Sequence, residues 1–289
     1  MKGIILAGGT GSRLWPITHV VSKQLLPIYD KPLIYYPIST LMLAGIRDIL
    51  IITTPNDVSH FQSLLGDGSK IGISIKYESQ ESPRGLADAF IIGAEFIRGD
   101  SVLMVLGDNI FHGAGLGREL KNFLPSIGAH IFTYPVSDPS RYGIINLDSD
   151  GVPQSVVEKP IDSLSNLAIT GLYFFDQDVS RIAKTVKPST RGEIEITSVI
   201  EDYLDRGLLT YTELSRGIAW LDTGTPDSMY EAATFVKVIE DRTGLKIACL
   251  EEIAFLNNWI GLEHLKKISN QYANNSYGDY IRTLVKKHS

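Results

Sequence analysis

One cysteine, Cys249, stands in a chain of 289 residues. A lone thiol forms no internal disulfide, and no cysteine-rich zinc site can be built from it, so a reducing compartment such as the cytoplasm fits. Positive charge is also short: Lys and Arg total 27 against 33 Asp and Glu, a formal net charge of −6. A general nucleic-acid binder would carry the opposite balance. A phosphate-handling enzyme stays allowed, because a few local cations and a metal override a negative average. No apolar run reaches the ~18 residues that mark a membrane span, so none is expected. The opening MKGIILAGG looks briefly like a signal peptide, but glycines cut the apolar run at once and a core strand accounts for it better. The six histidines are scattered without metal-ligand spacing. Trp15, Trp220 and Trp259 are too dispersed for a stacking platform and read as packing residues.

What is present is apolar residues, 44% of the chain, enough for a large core in one domain or one domain with an appendage. Residues 2–6 form an apolar run that ends in a Gly-rich loop. Residues 33–44 read as a helix stopped by Gly45, and residues 48–53 as a buried, β-branched strand. Over residues 57–65 a helix would put Val58, Phe61, Leu64 and Leu65 on one face. A strand at 74–77, a helix at 85–96 and a central strand at 102–106 follow. This β-α-β-α order predicts a mostly parallel sheet covered on both faces, with right-handed crossovers. Beyond residue 129 the elements shorten: strands at 143–147, 155–158, 168–175 and 209–214, helices at 180–187 and 196–205. Pro226 opens a long helix to about residue 242. From residue 251 the pattern is helical, punctuated by Gly261 and Gly278. With no repeat or low-complexity linker, the expectation is a single domain over 1–289, with a core to about residue 240 and a helical extension from about 241.

The first strand runs straight into Leu6-Ala-Gly8-Gly9-Thr10-Gly11-Ser12-Arg13-Leu14. Ligands in open α/β sheets bind beyond the carboxyl ends of the strands. Glycines there let backbone N–H groups approach an anion, and Arg13 adds a planar charged fork suited to phosphate. The loop is not a Walker A motif, which needs Gly-Lys-Ser/Thr at its end, nor the dinucleotide GxGxxG, since Leu14 takes the third glycine's place. Alone it is equally a tight structural turn. Ser22-Lys23-Gln-Leu-Leu-Pro27 adds a second cation, Lys23, in a segment able to fold back over the loop.

Together these two segments resemble the sugar nucleotidyltransferase family, whose signature is Gly-Gly-x-Gly-x-Arg-Leu followed by Lys-x-Leu-x-Pro. The thymidylyltransferase branch is similar in further segments, in the same order: Lys31-Pro-Leu-Ile-Tyr-Tyr-Pro37, Leu106-Gly-Asp-Asn109, Arg141-Tyr-Gly143, Glu158-Lys-Pro160, Ala168-Ile-Thr-Gly-Leu-Tyr-Phe-Phe175, Arg191-Gly-Glu-Ile-Glu-Ile-Thr197 and Trp220-Leu-Asp-Thr-Gly224. The resemblance implies a Rossmann-like, doubly wound, mostly parallel sheet carrying a sugar-binding portion and a helical C-terminal extension, often assembled as a homotetramer. It implies transfer of a deoxythymidylyl group from dTTP to glucose 1-phosphate, with pyrophosphate released. The product could feed rhamnose, an amino sugar or another deoxysugar.

The same resemblance assigns roles. Asp108 and Asp222 would be Mg²⁺ ligands, in keeping with an ion that takes one or two carboxylates and completes its shell with phosphate and water. Arg13 would hold the β and γ phosphates and Lys23 the reacting ones, with Leu6, Gly8, Gly9, Thr10, Gly11 and Ser12 around the nucleotide. Lys159 would bind the sugar phosphate, Glu158 the sugar hydroxyls, and Asn109, Gly143 and Thr170 the rest of the sugar side. Glu193 and Arg191 shape that pocket or pair with each other. Gln80 and Gly85 would read the base, a Gln amide donating to a thymine carbonyl and accepting from N3–H. The family often has Gln where this chain has Asp88. It also implies a feedback site for dTDP-rhamnose between subunits near residues 251–259, weakened here because Leu256 replaces a common Arg. Neither nucleic acid nor membrane is an expected partner. Two rivals remain: a UTP-preferring uridylyltransferase, and a nucleotide-sugar-binding regulator without catalysis.

Overall fold

A computed structural model describes residues 1–9, 11–122, 127–272 and 274–289. Strand β1 (Lys2–Ala7) lies between β4 (Asp48–Thr53) and β6 (Val102–Leu106), and all three run parallel, as does β5 (Ser74–Ser79) outside β4. Between these strands come the short hairpin of β2 (Pro27–Ile28) and β3 (Lys31–Pro32), and helices α1 (Tyr35–Leu43), α2 (Val58–Leu65), α3 (Asp88–Ile92) and α4 (Ala94–Ile97). Between their ends the central strands are apolar, because both of their faces are covered. Alternation then sorts them. Ile5, Ala7, Ile49 and Ile51 enter one core, and Ile4, Leu6, Leu50 and Ile52 the other.

The second half extends this sheet mainly through antiparallel strand pairs. It comprises β7 (Asn109–Gly113), α5 (Leu116–Asn122), β8 (Ala129–Pro135), β9 (Gly143–Leu147), β10 (Pro153–Glu158), β11 (Leu167–Phe175), α6 (Val179–Ala183), α7 (Ile196–Asp205), β12 (Leu209–Glu213) and β13 (Ile218–Asp222). The order is β10-β9-β11-β6-β1-β4-β5, with β8 between β11 and β12. β7 and β13 form a separate two-stranded ribbon that sets Asn109 opposite Asp222. α3, α6 and α7 cover one face through Phe90, Ile182 and Ile200. The other face is covered by α1 and by the C-terminal helices α9 (Leu250–Leu256), α10 (Leu262–Ser269) and α11 (Ser276–His288), through Leu250, Leu265 and Ile281. Cys249, a free and buried thiol, belongs to that core. Among the described residues no helix is long and apolar enough to cross a membrane.

Several elements differ from the sequence expectation. The helix expected at 85–96 begins only at Asp88 and breaks at Gly93, where a Cβ would meet the Ala89 carbonyl and Ile4 at 3.0 Å. Gly85 precedes it with φ 101°, outside helical space. The helix expected at 180–187 stops at Ala183. Gly278 interrupts nothing: it lies in the first turn of α11, its N–H donating to the capping Asn275 side chain at 2.8 Å. Leu64 is exposed, and Phe61 is the fully buried residue of α2. Trp15 is also exposed, tilted against His19.

The long helix α8 (Pro226–Thr243) starts with a reciprocal cap between Thr225 and Ser228, with Pro226 at its first position, and ends at Gly244 with φ 68°. Near its end Glu240 is buried and accepts from Lys31 Nζ (2.9 Å), Lys246 Nζ (2.6 Å) and the Ile247 N–H (2.9 Å). This ties α8 to the β2–β3 hairpin. Glu240→Ala leaves the buried Lys31 with Asp30 as its remaining acid partner and should lower the unfolding free energy by about 1–3 kcal/mol, read from the urea midpoint. Asp241→Ala, which breaks only the exposed pair with Lys237, should cost less than about 1 kcal/mol. Equal shifts would contradict the buried-charge account.

Candidate active site

A cleft of about 500 Å³ opens at the carboxyl ends of β1 and β6. Its floor comes from the loop after β6. The Gly107 N–H donates to the Leu6 carbonyl (2.9 Å), which extends the β1–β6 ladder by one step and delivers Asp108 to the strand end. The Asp108 carboxylate accepts from Lys23 Nζ at 2.7 Å and from Asn109 Nδ2 at 2.9 Å. From the other end of the chain, Thr223 donates both its N–H (3.1 Å) and its hydroxyl (2.8 Å) to the Asp108 carbonyl. That latch brings Asp222 beside Asp108. Arg141 Nη2 lies 3.2 Å from Asp222 Oδ2. Arg13 is close as well: a Cβ on Gly224 would be 3.1 Å from Asp222 Oδ1 and 3.2 Å from Arg13 Nη1.

The two carboxylates are electrostatically unequal. Burial opposes charge on Asp108, yet Lys23 and the Asn109 amide outweigh it and hold its carboxyl below the usual range. Burial and the neighbouring Asp108 charge push Asp222 up, against the pull of Lys23, Arg141 and Arg13. The donor set is right for a hard cation. Among the described residues no group of three or more His, Cys, Asp or Glu is placed to hold a metal ion; an ion on these two carboxylates would complete its shell with phosphate and water, as Mg²⁺ does.

One wall holds Leu6, Gly8, Gly9 and Arg13 along one stretch, and Gln80 and Gly85 beyond it. Among the described residues a Cβ on Gly9 would meet nothing within 4 Å, which leaves room there for a ligand. Thr10 lies outside the described residues. Gly11 and Ser12 do not border the cleft. Gly11 turns the chain with φ 61° and its carbonyl accepts the Thr18 hydroxyl (2.7 Å), while Ser12 opens a 3₁₀ turn from which Arg13 reaches back. Lys23 is buried and reaches the floor only through Asp108. Gly85 has no room for a side chain: a Cβ would lie 2.4 Å from the Ile194 carbonyl.

On the opposite wall, β9 and β10 pair Gly143 with Glu158. Lys159 follows with φ 45°, a left-handed conformation that a lysine adopts at a cost of order 1 kcal/mol or more. Its N–H donates to the Tyr142 carbonyl (2.9 Å) and its Nζ lies 3.3 Å from Glu158 Oε1. Arg191 pairs chiefly with Glu195 (2.9 Å), then Glu158 (3.5 Å), with Glu193 at 4.0 Å. Thr170 departs from its expected place: it is fully buried and its hydroxyl donates to the Phe132 carbonyl at 2.9 Å. Its neighbour Gly171 lines the cleft instead, where a Cβ would lie 2.6 Å from Asn109 Oδ1.

Sequence reasoning missed the connectors. Trp220 is not mere packing: it lines the cleft, and its indole N–H donates to Asn109 Oδ1 at 2.6 Å. Thr223, Gly171 and Glu195 carried no separable signal. Arg141 stood in a family segment without a role. Leu256 is exposed and borders a shallow depression with Arg118 and Lys121, so the cations there come from α5.

A glycine-rich loop, two convergent carboxylates at the strand ends and a facing Glu-Lys wall are the parts of a nucleotidyl-transfer site. The sequence profile of the nucleotidyl transferase family matches residues 2–238, and the chain belongs to that family. More particularly, it is 54% identical over 288 residues to the glucose-1-phosphate thymidylyltransferase of Neisseria meningitidis serogroup A, covering 99% of this chain and 100% of that one. Its fold is similar to that of a Bacillus anthracis protein described as a glucose-1-phosphate thymidylyltransferase and solved with sucrose. There the TM-score is 0.75 and the identity 40%, over 81% of this chain and 94% of that one. A UDP-glucose pyrophosphorylase in complex with UDP-glucose has a TM-score of 0.72 at 26% identity, over 82% of this chain and 98% of that one.

Lys23→Met should raise the Asp108 pKa, because the burial stays while the opposing charge goes. Carbon-13 NMR titration of labelled aspartates in metal-free protein reads this directly. An Asp108 that titrates unchanged or lower would contradict the pairing.

Proposed function

We propose that this chain transfers a deoxythymidylyl group from dTTP to glucose 1-phosphate, giving dTDP-glucose and pyrophosphate. The observation that carries this reading is the convergence of Asp108 and Asp222 between the glycine loop and the Glu158–Lys159 wall, in a chain 54% identical to a glucose-1-phosphate thymidylyltransferase. In this reading a phosphate oxygen of glucose 1-phosphate attacks the α-phosphorus of dTTP. The bond from that phosphorus to the bridging oxygen breaks, and pyrophosphate leaves with the electron pair. The nucleophile is already an anion, so no general base is needed, and the protein works by positioning and charge compensation.

Arg13 would take the β and γ phosphates that depart, and Lys23 the phosphates at the reacting centre. Gly8, Gly9 and Leu6 would leave the backbone open to the nucleotide, with Gln80 and Gly85 against the base. Lys159 would hold the sugar phosphate, with Glu158, Asn109 and Gly143 toward the sugar. Asp108 and Asp222 would hold Mg²⁺, whose charge, when bound, supplies electrostatic relief for the crowded phosphates. The setting proposed is the cytoplasm, consistent with the single buried free thiol, and the assembly a homotetramer, which light scattering measures.

Thymine and uracil differ by one methyl, worth about 1–3 kcal/mol in an apolar pocket, so some use of UTP is expected. A matrix of nucleoside triphosphates against sugar 1-phosphates, scored as kcat/KM for pyrophosphate release, tests the proposal. The dTTP and glucose 1-phosphate pair should rank first. A UTP optimum would favour the uridylyl rival, and no turnover with any pair would favour the regulator.

Asp108→Asn or Asp222→Asn should cut kcat by at least about a hundredfold, with smaller changes in KM. Near-wild-type turnover in the double variant, or full activity in excess EDTA, would sink the metal assignment. Lys159→Gln should raise KM for glucose 1-phosphate by roughly ten- to a hundredfold, the value of one charge-assisted contact, and leave KM for dTTP within about threefold. Equal losses on both substrates would move Lys159 off the sugar side.

A further inference from the structure

Gln80 does not reach the cleft with a free amide. Its Nε2 donates to Asp88 Oδ2 at 2.9 Å and lies 3.4 Å from the Gly85 carbonyl. Both partners on that side are acceptors only, so the nitrogen is fixed there by chemistry and not by choice of labels. The oxygen is turned the other way, toward Gly8: a Cβ on Gly8 would lie 3.1 Å from Gln80 Oε1, and both residues line the cleft. Asp88 is 1% exposed, and its other oxygen accepts from Arg84 Nη2. A guanidinium has donors only, so Arg84 holds one carboxylate oxygen and leaves the other for Gln80.

We propose that Asp88 is a specificity-determining positioning residue: it locks the Gln80 amide so that the cleft receives an acceptor, and only a base with an N3–H is matched there. The inference rests on the proposed dTTP-dependent activity and refines it. It replaces the expectation that Gln80 both donates to and accepts from the base. Thymine and uracil carry N3–H and satisfy the lock equally. Cytosine presents a lone pair at N3 and meets the Gln80 oxygen with repulsion. A carboxylate suits this task better than an amide, because neither of its oxygens can become a donor and the relay from Arg84 through Asp88 to Gln80 has a single polarity.

Asp88→Asn is nearly isosteric and reverses that polarity. Arg84 claims the one oxygen of the introduced amide, whose NH₂ then faces Gln80. The Gln80 amide must turn over to accept it, and so offers Nε2 to the cleft. The ratio of kcat/KM for dTTP to that for dCTP should fall at least about tenfold in D88N, as expected for one pairing reversed in a buried site. The double variant R84M/D88N frees the introduced amide to turn its oxygen to Gln80 and should move the ratio back toward wild type, which a merely structural defect would not do. D88A, which removes the lock without imposing the opposite one, should fall between D88N and wild type and serves if D88N does not fold. A folded D88N or D88A with the wild-type ratio overturns the role of Asp88 while leaving the dTTP reading intact. A wild-type protein that prefers UTP contradicts the dTTP reading but leaves the lock standing, and one that prefers dCTP overturns both.

Discussion

Two carboxylates from distant parts of the chain, Asp108 and Asp222, share one cleft, and like charges in a partly buried site repel. The surrounding structure answers that repulsion. Lys23 sits on Asp108 and Arg141 on Asp222, with Arg13 near the second. The Thr223 bonds to the Asp108 carbonyl and the β7–β13 ribbon hold the segments together in spite of it. An arrangement that keeps two acids adjacent and surrounds them with cations is suited to a polyphosphate and its counterion. Binding such a ligand exchanges internal ion pairs for external ones.

The two halves of the sheet divide the work. The parallel strands β1, β4 and β6 end together and leave a crevice beyond their carboxyl ends, where the glycine loop is open at Gly9. The antiparallel strands β9, β10 and β11 build the facing wall. Asn109 joins the two halves: its side chain donates to Asp108 and accepts from Trp220 and from the Gly171 N–H. The close approach at Gly171 falls where β11 changes register against β8. Lys159 keeps a left-handed backbone at the mouth of that wall, a strained conformation of the kind found where a side chain must point in a particular direction.

What could be read from sequence follows from what is local. The strand at Asp48–Thr53 is rich in β-branched residues, and the start of α8 is a capped proline turn. Both are properties of neighbouring residues, and both stand where expected. The ribbon of Asn109–Gly113 and Ile218–Asp222 carries no such signal, because each strand finds its pairing partner in the other, far along the chain. Charged residues in recognisable motifs, such as Asp108, Lys159 and Asp222, were legible and line one cleft. Thr170 was placed by its motif, but the strand's alternation turns its hydroxyl into the core and gives the cleft to Gly171. Side-chain relays were not legible at all. That Gln80 offers its oxygen depends on Asp88 and Arg84 together, and no single residue in that set announces it.

The proposed reaction is a direct displacement at the α-phosphorus, with both substrates held in one cleft and no enzyme group attacking first. The stereochemical course of the reaction tests this most directly. A single diastereomer of the α-thio analogue of dTTP, incubated with glucose 1-phosphate and metal ion, gives a chiral thio-product whose configuration phosphorus-31 NMR reads. One in-line displacement predicts inversion at phosphorus. Retention would mean two successive displacements through a covalent enzyme intermediate, and would contradict the account.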